Sequence, residues 1–170
     1  FSMVTWLPNI LSSQGVSANA SGWMVAMYQF IGIPANFFIP VLADRTKDQK
    51  GLALAIGISC LIGLAGIFYG NSILVLFLSI LFTGLGTGAA VSLALTLMGL
   101  RAANSEQAAN LSAMSQSIGY LFAAVGPFIA GFLFDLTNTW KAAIFFMFVV
   151  ALIMTISGVG AGRNKYVLSK

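Results

Sequence analysis

Long stretches without a charged residue are the feature that most limits how this chain can fold. Residues 1–43, 51–100, 107–134 and 142–162 contain no Asp, Glu, Lys or Arg, and charged residues make up only 7% of the 170. Soluble domains carry about 25% charged residues. A helix needs about 20 mainly apolar residues to cross a bilayer, and each stretch is long enough for one or two crossings. The sequence therefore predicts an integral membrane protein.

The crossings are predicted to be helices, because an open sheet would leave backbone groups unpaired in lipid. The stretches also lack the alternation of polar and apolar residues that barrel strands show. Ser72 is predicted to cap one helix, and Asn104 with Gln107 resembles a capping box. We predict an all-α membrane protein, a bundle of six transmembrane helices. Numbered α1 to α6, they are predicted at residues 1–12 (partial), 18–42, 51–69, 73–99, 106–133 and 140–162.

The first predicted helix is too short to cross a bilayer alone, and the sequence starts at Phe1 rather than at a methionine. The segment lacks the basic flank and the small-residue cleavage site of a signal peptide. We therefore interpret residues 1–12 as the outer end of a truncated helix, and we expect the functional unit to be larger than this chain.

Positive charge is concentrated on one side of the predicted bundle. If the helices alternate in direction, only Lys141 falls on the side opposite the other basic residues. Cytoplasmic loops carry an excess of Lys and Arg, so the C-terminus is predicted to be cytoplasmic. Trp23 and Trp140 fit an interfacial position at outer helix ends. The basic residues of the cytoplasmic side are Arg45, Lys47, Lys50, Arg101, Arg163, Lys165 and Lys170.

The composition argues against chemistry on a substrate. Histidine, the commonest metal ligand and general base, is absent, and the single cysteine, Cys60, cannot form a disulfide or a cysteine metal site within the chain. We expect no catalytic residue, no metal and no cofactor. The few charges lie at the ends of apolar stretches rather than in a basic patch, so nucleic acid is not an expected partner.

One loop and two helices carry a family resemblance. The loop after α2 contains Asp44 and Arg45 followed by a basic tail, and resembles the Gly-x-x-x-Asp-Arg-x-Gly-Arg-Lys signature of major facilitator superfamily transporters. Pro40 and Lys47 stand where that signature has glycines. The motifs GLGTG at 84–88, QSIGY at 116–120 and GPxxxGxxxD at 126–135 look like the tenth and eleventh helices of the branch that includes cyanate permeases and nitroimidazole transporters.

This resemblance implies the C-terminal half of a twelve-helix transporter, located in the cytoplasmic (inner) membrane of a bacterium. In that fold two six-helix bundles rock against each other around a solute site at the midplane. The implied partners are a small-molecule solute, the lipid bilayer, and the missing N-terminal half of the same polypeptide or a second copy of this chain. Helices α1 and α4 would line the cavity, with α2 and α5 beside them. The resemblance thereby implies cavity positions at Thr5, Trp6, Thr87 and Ser92.

Polar residues within α2 and α5 are the other candidates for contact with a solute. Tyr28, Gln29 and Asn36 share one helical face, and so do Gln116 and Tyr120. An amide that faces lipid leaves its polar groups unpaired. We therefore predict that these side chains face either a watery cavity or a neighbouring helix, and both alternatives remain open.

Two further sets of residues have predicted roles. Asp44 and Arg45 are predicted to form a cytoplasmic latch, the carboxylate at the positive end of a neighbouring helix and Arg45 across the loop; the alternative is that they are solvated charges. Small residues spaced by four let helix backbones approach closely. Such packing positions are predicted at Gly84, Gly88, Gly119, Gly126, Pro127 and Gly131.

The predicted function is secondary active transport by alternating access. No Asp, Glu, Lys, Arg or His lies in the centre of a predicted helix, so the site would rely on hydroxyls, amides and aromatic rings. The substrate is predicted to be small and either neutral or singly charged, such as a cyanate-like anion or a heteroaromatic compound. A channel subunit and a membrane scaffold without transport remain alternatives. An intramembrane enzyme is disfavoured because no nucleophile has an evident base.

Overall fold

The fold of residues 1–70 and 72–164 is described by a computed structural model. Lys165 and Lys170, two of the predicted orienting charges, lie outside the described residues. Within that part the chain forms six α-helices: Ser2–Ser13 (α1), Ala18–Asp44 (α2), Lys50–Tyr69 (α3), Ile73–Leu100 (α4), Ser105–Thr137 (α5) and Trp140–Ala161 (α6). Of these, α2 to α6 are long and apolar enough to cross a membrane. The predicted all-α membrane fold is confirmed.

Polar side chains set the helix ends. Ser72 accepts a hydrogen bond from the backbone N–H of Val75 at 3.3 Å, and Asn104 accepts one from Gln107 at 2.8 Å. The Gln107 side chain accepts in return from the backbone N–H of Ala103 at 3.1 Å. Both predicted caps are therefore present, although the return bond of the capping box involves the residue before Asn104.

Helices α2 and α5 run further than the sequence suggested. The first ends at Asp44 and the second at Thr137, whereas residues 42 and 133 were the predicted ends. A charged residue marks where a helix leaves the lipid, and the helix itself continues until its backbone turns. For α5 that turn is at Asn138, which caps the helix in the left-handed conformation with φ of 52°, a region that Asn tolerates well.

Helix α4 is the centre of the bundle, because it packs against α2 on one side and α3 on the other. Buried hydroxyls along it donate to their own helix: Ser79 to the Val75 carbonyl at 2.6 Å and Thr83 to the Ser79 carbonyl at 2.7 Å. These bonds satisfy polar groups that would otherwise be unpaired at membrane depth.

Glycines on α3 allow this close approach. A Cβ added to Gly63 would overlap the side chain of Thr83 on α4, and one added to Gly57 would overlap Thr155 on α6. Small residues at such contacts let two helix backbones come together where lipid offers no hydrophobic driving force. Helix α3 therefore joins α4 to α6.

Buried apolar residues form two clusters. The larger includes Leu7, Ile67 and Ile144 and joins α1, α3 and α6, among other helices. The smaller includes Ala43, Ile56 and Leu97 and lies where α2 and α4 end and α3 begins. The ends of α2 and α4 and the start of α3 therefore lie together. Arg45 and Arg101, which follow α2 and α4, are at this same end, which we call the basic end of the bundle.

Trp140 lies in the larger cluster and is only 7% exposed. Its ring stacks on Phe134 with 4.2 Å between centroids and 19° between planes. The tight turn after α5 places the first residue of α6 back against the last turns of α5, so the Trp140 ring packs between helices instead of facing outward. Trp23, by contrast, is 73% exposed.

Helix α5 is the least enclosed of the described helices. Although it has 33 residues, Ala130 is its one buried residue in the described part of the chain. Its contacts are mainly with α6 and α1, and large apolar side chains such as Phe122 and Phe128 are exposed. Helix α2 likewise exposes Phe37 and Phe38. These surfaces are suited to lipid or to further helices rather than to water.

Candidate functional site

The closest helix contact in the candidate region is between α2 and α4. A Cβ added to Gly88 would lie 2.6 Å from the Cα of Gly32, and one added to Gly84 would lie 2.6 Å from the backbone oxygen of Tyr28. Both distances are shorter than carbon contacts normally allow. Because Gly84 and Gly88 have no side chains, the two helix backbones approach each other closely here.

Hydroxyl groups join the same two helices. The Tyr28 hydroxyl lies 3.0 Å from Oγ1 of Thr87, which donates to the Thr83 carbonyl at 2.8 Å. Since a threonine hydroxyl has one hydrogen, Tyr28 donates to Thr87. Ser92 reaches the Asn36 carbonyl from α4 at 3.5 Å. Tyr28 and Ser92 are buried. Their hydroxyl groups therefore bond to a neighbouring helix instead of facing a watery cavity.

The predicted amides lie elsewhere. Gln29 and Asn36 on α2 and Gln116 on α5 have exposed side chains. Tyr120, one turn beyond Gln116, is 60% exposed, and its ring meets the edge of Phe1 at 6.2 Å between centroids. In the described part of the chain, the amides have no hydrogen-bond partner for their side chains, because other helices of this chain do not cover those faces of α2 and α5.

Trp6 joins α1 to α5. Its indole N–H donates to the Pro127 carbonyl at 2.8 Å, and its ring lies 5.1 Å from that of Trp140. A Cβ added to Gly131 would lie 2.9 Å from this ring. The predicted cavity residue Trp6 therefore holds two helices together, and Pro127 and Gly131 are its packing partners.

The remaining predicted positions differ among themselves. A Cβ added to Gly126 would lie 2.7 Å from the Ser2 hydroxyl, whereas one added to Gly119 would meet nothing within 4 Å. No atom of the described residues would therefore pack against a Cβ at Gly119, and its packing role stays a prediction. Thr5 is exposed, and its hydroxyl donates to the Phe1 carbonyl at 3.2 Å. The candidate residues form an α2–α4 group and an α1–α5 group.

At the basic end, Asp44 and Arg45 are exposed, and in the described part of the chain neither forms an ion pair. The ion pair found there joins Asp48 and Lys50 at 3.4 Å, and both side chains are about half exposed. Among the described residues no partner for the predicted latch is present, and the latch stays a prediction.

A buried network at the same end is a feature that sequence reasoning missed. Arg101, expected as an orienting charge, is 8% exposed and donates to the side chains of Gln49 and Asn164 and to the Gly162 carbonyl. Gln49 in turn donates to the carbonyls of Ala43 and Thr46 at 2.9 and 2.8 Å. This Arg101 network joins the ends of α2, α4 and α6. In the sequence, the feature that could have pointed to this network is the position of Gln49, directly before the first residue of α3.

Metal chemistry has no site in the described residues, where no three His, Cys, Asp or Glu side chains come together in a group able to hold a metal ion. The candidate region instead consists of exposed amides, aromatic rings and closely packed helices. Together with five helices long enough to cross a bilayer, they define a polytopic integral membrane protein whose polar groups lie on helix faces that this chain leaves uncovered.

Sequence comparison places the chain more narrowly. The family model of the Major Facilitator Superfamily matches residues 1–162. The chain therefore belongs to the major facilitator superfamily, as the Asp44-Arg45 loop and the glycine motifs indicated.

Its relatives include named transporters. The chain is 46% identical to the uncharacterized transporter YycB of Bacillus subtilis over 98% of its own length and 42% of that protein. It is 36% identical to the 2-nitroimidazole transporter of Escherichia coli over 96% of its length and 41% of that protein. It is 28% identical to the cyanate transport protein CynX of the same organism over 82% of its length and 36% of that protein.

These matches agree with the predicted branch of the superfamily. The chain spans less than half the length of each of these three relatives. No solved structure matches it significantly.

Proposed function

We propose that this chain is one half of a secondary active transporter that moves a small solute across a bacterial cytoplasmic membrane by alternating access. In this proposal the protein transports its solute and does not change it chemically. The proposal is supported by the chain's membership of the superfamily and by the names of its relatives, which describe transporters.

The observation that carries the proposal is the pair of uncovered polar faces on α2 and α5. Gln29, Asn36 and Gln116 are exposed on helices whose surroundings are otherwise apolar. An amide exposed to hydrocarbon loses several kcal/mol relative to water, so these faces must meet a polar surface. In the proposed transporter they face the aqueous cavity between two six-helix bundles.

The second bundle is proposed to be the N-terminal half of the same polypeptide. The fraction of the relatives that this chain spans, 42% and 41% for the first two, leaves room for a bundle of similar size. A second copy of this chain is the alternative. The basic end is proposed to be cytoplasmic because Lys and Arg accumulate on that side of membrane proteins, and Asp44 and Arg45 are proposed to latch the two bundles there.

The solute is proposed to be small and neutral or singly charged, of the heteroaromatic or cyanate-like kind that the names of two relatives mention. Thr5, Trp6, Tyr28, Gln29, Asn36, Thr87, Ser92, Gln116 and Tyr120 are the proposed lining. Among them, Gln29, Asn36, Gln116 and Tyr120 are exposed and free to meet a solute. Tyr28, Ser92 and Trp6 would act by fixing the helices that carry them.

The test is uptake of candidate solutes by the full-length protein in proteoliposomes. We expect Gln29→Ala and Gln116→Ala each to lower uptake about tenfold, because losing a hydrogen bond that a site makes to its solute costs about 1.5 kcal/mol. Ile156→Ala is the matched control, since Ile156 is 73% exposed on α6, a helix that carries none of the proposed lining residues. Unchanged uptake in both glutamine variants would contradict the proposed lining.

Counterflow separates the transporter from its alternatives. Vesicles that contain a transporter and are preloaded with unlabelled solute accumulate labelled solute transiently. The rate of this uptake saturates with solute concentration, because one site is exposed alternately to each side. Steady conduction without saturation would instead identify a channel subunit, and the absence of any solute flux would identify a scaffold.

A further inference from the structure

A cavity of about 530 Å³ lies at the basic end of the bundle, between α3, α4, α5 and α6. Its volume is in the range of sites that hold small organic ligands. It is separate from the proposed solute site, since none of the nine proposed lining residues borders it. Its walls are mainly apolar and include Ala53, Ile56, Leu97, Leu111 and Met154.

Two cations border the cavity, Arg101 and Arg163. The first is more than nine-tenths buried, and its Nε has no hydrogen-bond partner. Its bonds are to neutral groups only: the side-chain oxygens of Gln49 and Asn164, and a backbone carbonyl. A buried charge that is not neutralised is strongly unfavourable, and Arg101 lacks a counterion among the described residues.

The described residues of the chain offer no counterion here. Among the described residues, none of the acidic side chains borders the cavity. Asp48, which lies at the same end, pairs with Lys50 on the exposed surface. The occupant that fits is therefore an anion, and the apolar walls require that it also carry a hydrocarbon part.

We propose that this cavity binds an anionic phospholipid, with its phosphate at Arg101 and Arg163 and part of an acyl chain along the apolar walls. Arg101 and Arg163 lie just beyond the ends of α4 and α6, and basic side chains near helix ends reach toward the lipid headgroups. Basic pockets between transmembrane helices suit anionic headgroups for the same electrostatic reason. The proposal does not depend on the transported solute, and it holds for a channel or a scaffold as well.

Native mass spectrometry of the full-length protein in detergent tests the site, with phosphatidylglycerol and phosphatidylcholine of identical acyl chains as probes. We expect tighter binding of phosphatidylglycerol. Arg163→Gln should weaken it about fivefold, because a basic side chain near an anionic headgroup contributes about 1 kcal/mol. Ala94→Phe, a substitution in the cavity wall, should weaken the binding of both lipids.

Lys47→Gln is the matched control, because it removes one exposed positive charge at the same end without touching the cavity. Arg101→Gln should abolish the preference for phosphatidylglycerol; if that variant fails to fold, Arg163→Gln and Ala94→Phe decide the matter. Equal loss of binding in Lys47→Gln and Arg163→Gln would overturn the proposal, since the attraction would then be diffuse.

Two further results would also overturn it. Displacement of phosphatidylglycerol by millimolar inorganic phosphate would show that the site takes a free anion. A large gain of lipid binding on deletion of residues 165–170 would show that the chain's own end is the resident occupant.

Discussion

The contact between Gly88 and Gly32 offers the sharpest test of the packing. In Gly88→Ala, the new methyl group would lie 2.6 Å from the Cα of Gly32 and 2.9 Å from its backbone oxygen. Carbon atoms in contact normally stay about 3.5–4.0 Å apart, so α2 would have to move outward by about 1 Å. The obstacle is backbone, which cannot rotate out of the way as a side chain can.

Overpacking of this kind costs about 1–3 kcal/mol. We expect thermal unfolding of the full-length protein in detergent, followed by tryptophan fluorescence, to show Tm lowered by about 2 °C or more in Gly88→Ala. The reciprocal change, Gly32→Ala, should be much milder, because its methyl group would lie 3.4 Å from its nearest neighbours, ordinary contact.

Gly99→Ala is the matched control on the same helix, since a Cβ there would meet nothing within 4 Å. It adds the same methyl group and the same gain in helix propensity. Equal Tm values for Gly88→Ala and Gly99→Ala would refute the reasoning, because they would mean that the backbones of α2 and α4 are not in contact at Gly32.

Two further substitutions test buried contacts that the sequence did not reveal. Gln49→Ala should destabilise the protein by about 1–3 kcal/mol, because it removes an acceptor from the buried Arg101; Asp48→Ala, which breaks an exposed ion pair, should cost at most about 1 kcal/mol. Similar losses of Tm for both would argue against the buried network. Trp140→Ala should cost about 3–5 kcal/mol because it empties a packed site; a loss of Tm no larger than that of Trp23→Ala, which truncates an exposed ring, would contradict the burial of Trp140.

Several features could be predicted from the residues because their cause is local. The uncharged stretches give the number and type of the helices, since the length of a bilayer crossing fixes how many apolar residues a helix needs. Ser72 and Asn104 cap helices through bonds to residues three positions on. Gly84 and Gly88 could be identified as packing positions because they repeat with the helical period.

Other features depend on which helix lies next to which. Gln29 and Tyr28 are neighbours in sequence, yet one side chain is exposed and the other lies buried against Thr87. Gly119 has the same spacing as Gly131, but α1 reaches only the second. Periodicity places residues on a common face without saying whether another helix covers that face.

The sequence by itself therefore determined that the chain is a bundle of membrane helices, and its motifs indicated the superfamily to which it belongs. Only the tertiary structure decided that Trp140 is buried, that Arg101 is enclosed in a network with Gln49, and that the amides of α2 and α5 stay uncovered. The physical reason is that hydropathy and helix capping act within a few residues, whereas burial of a side chain depends on helices distant in sequence.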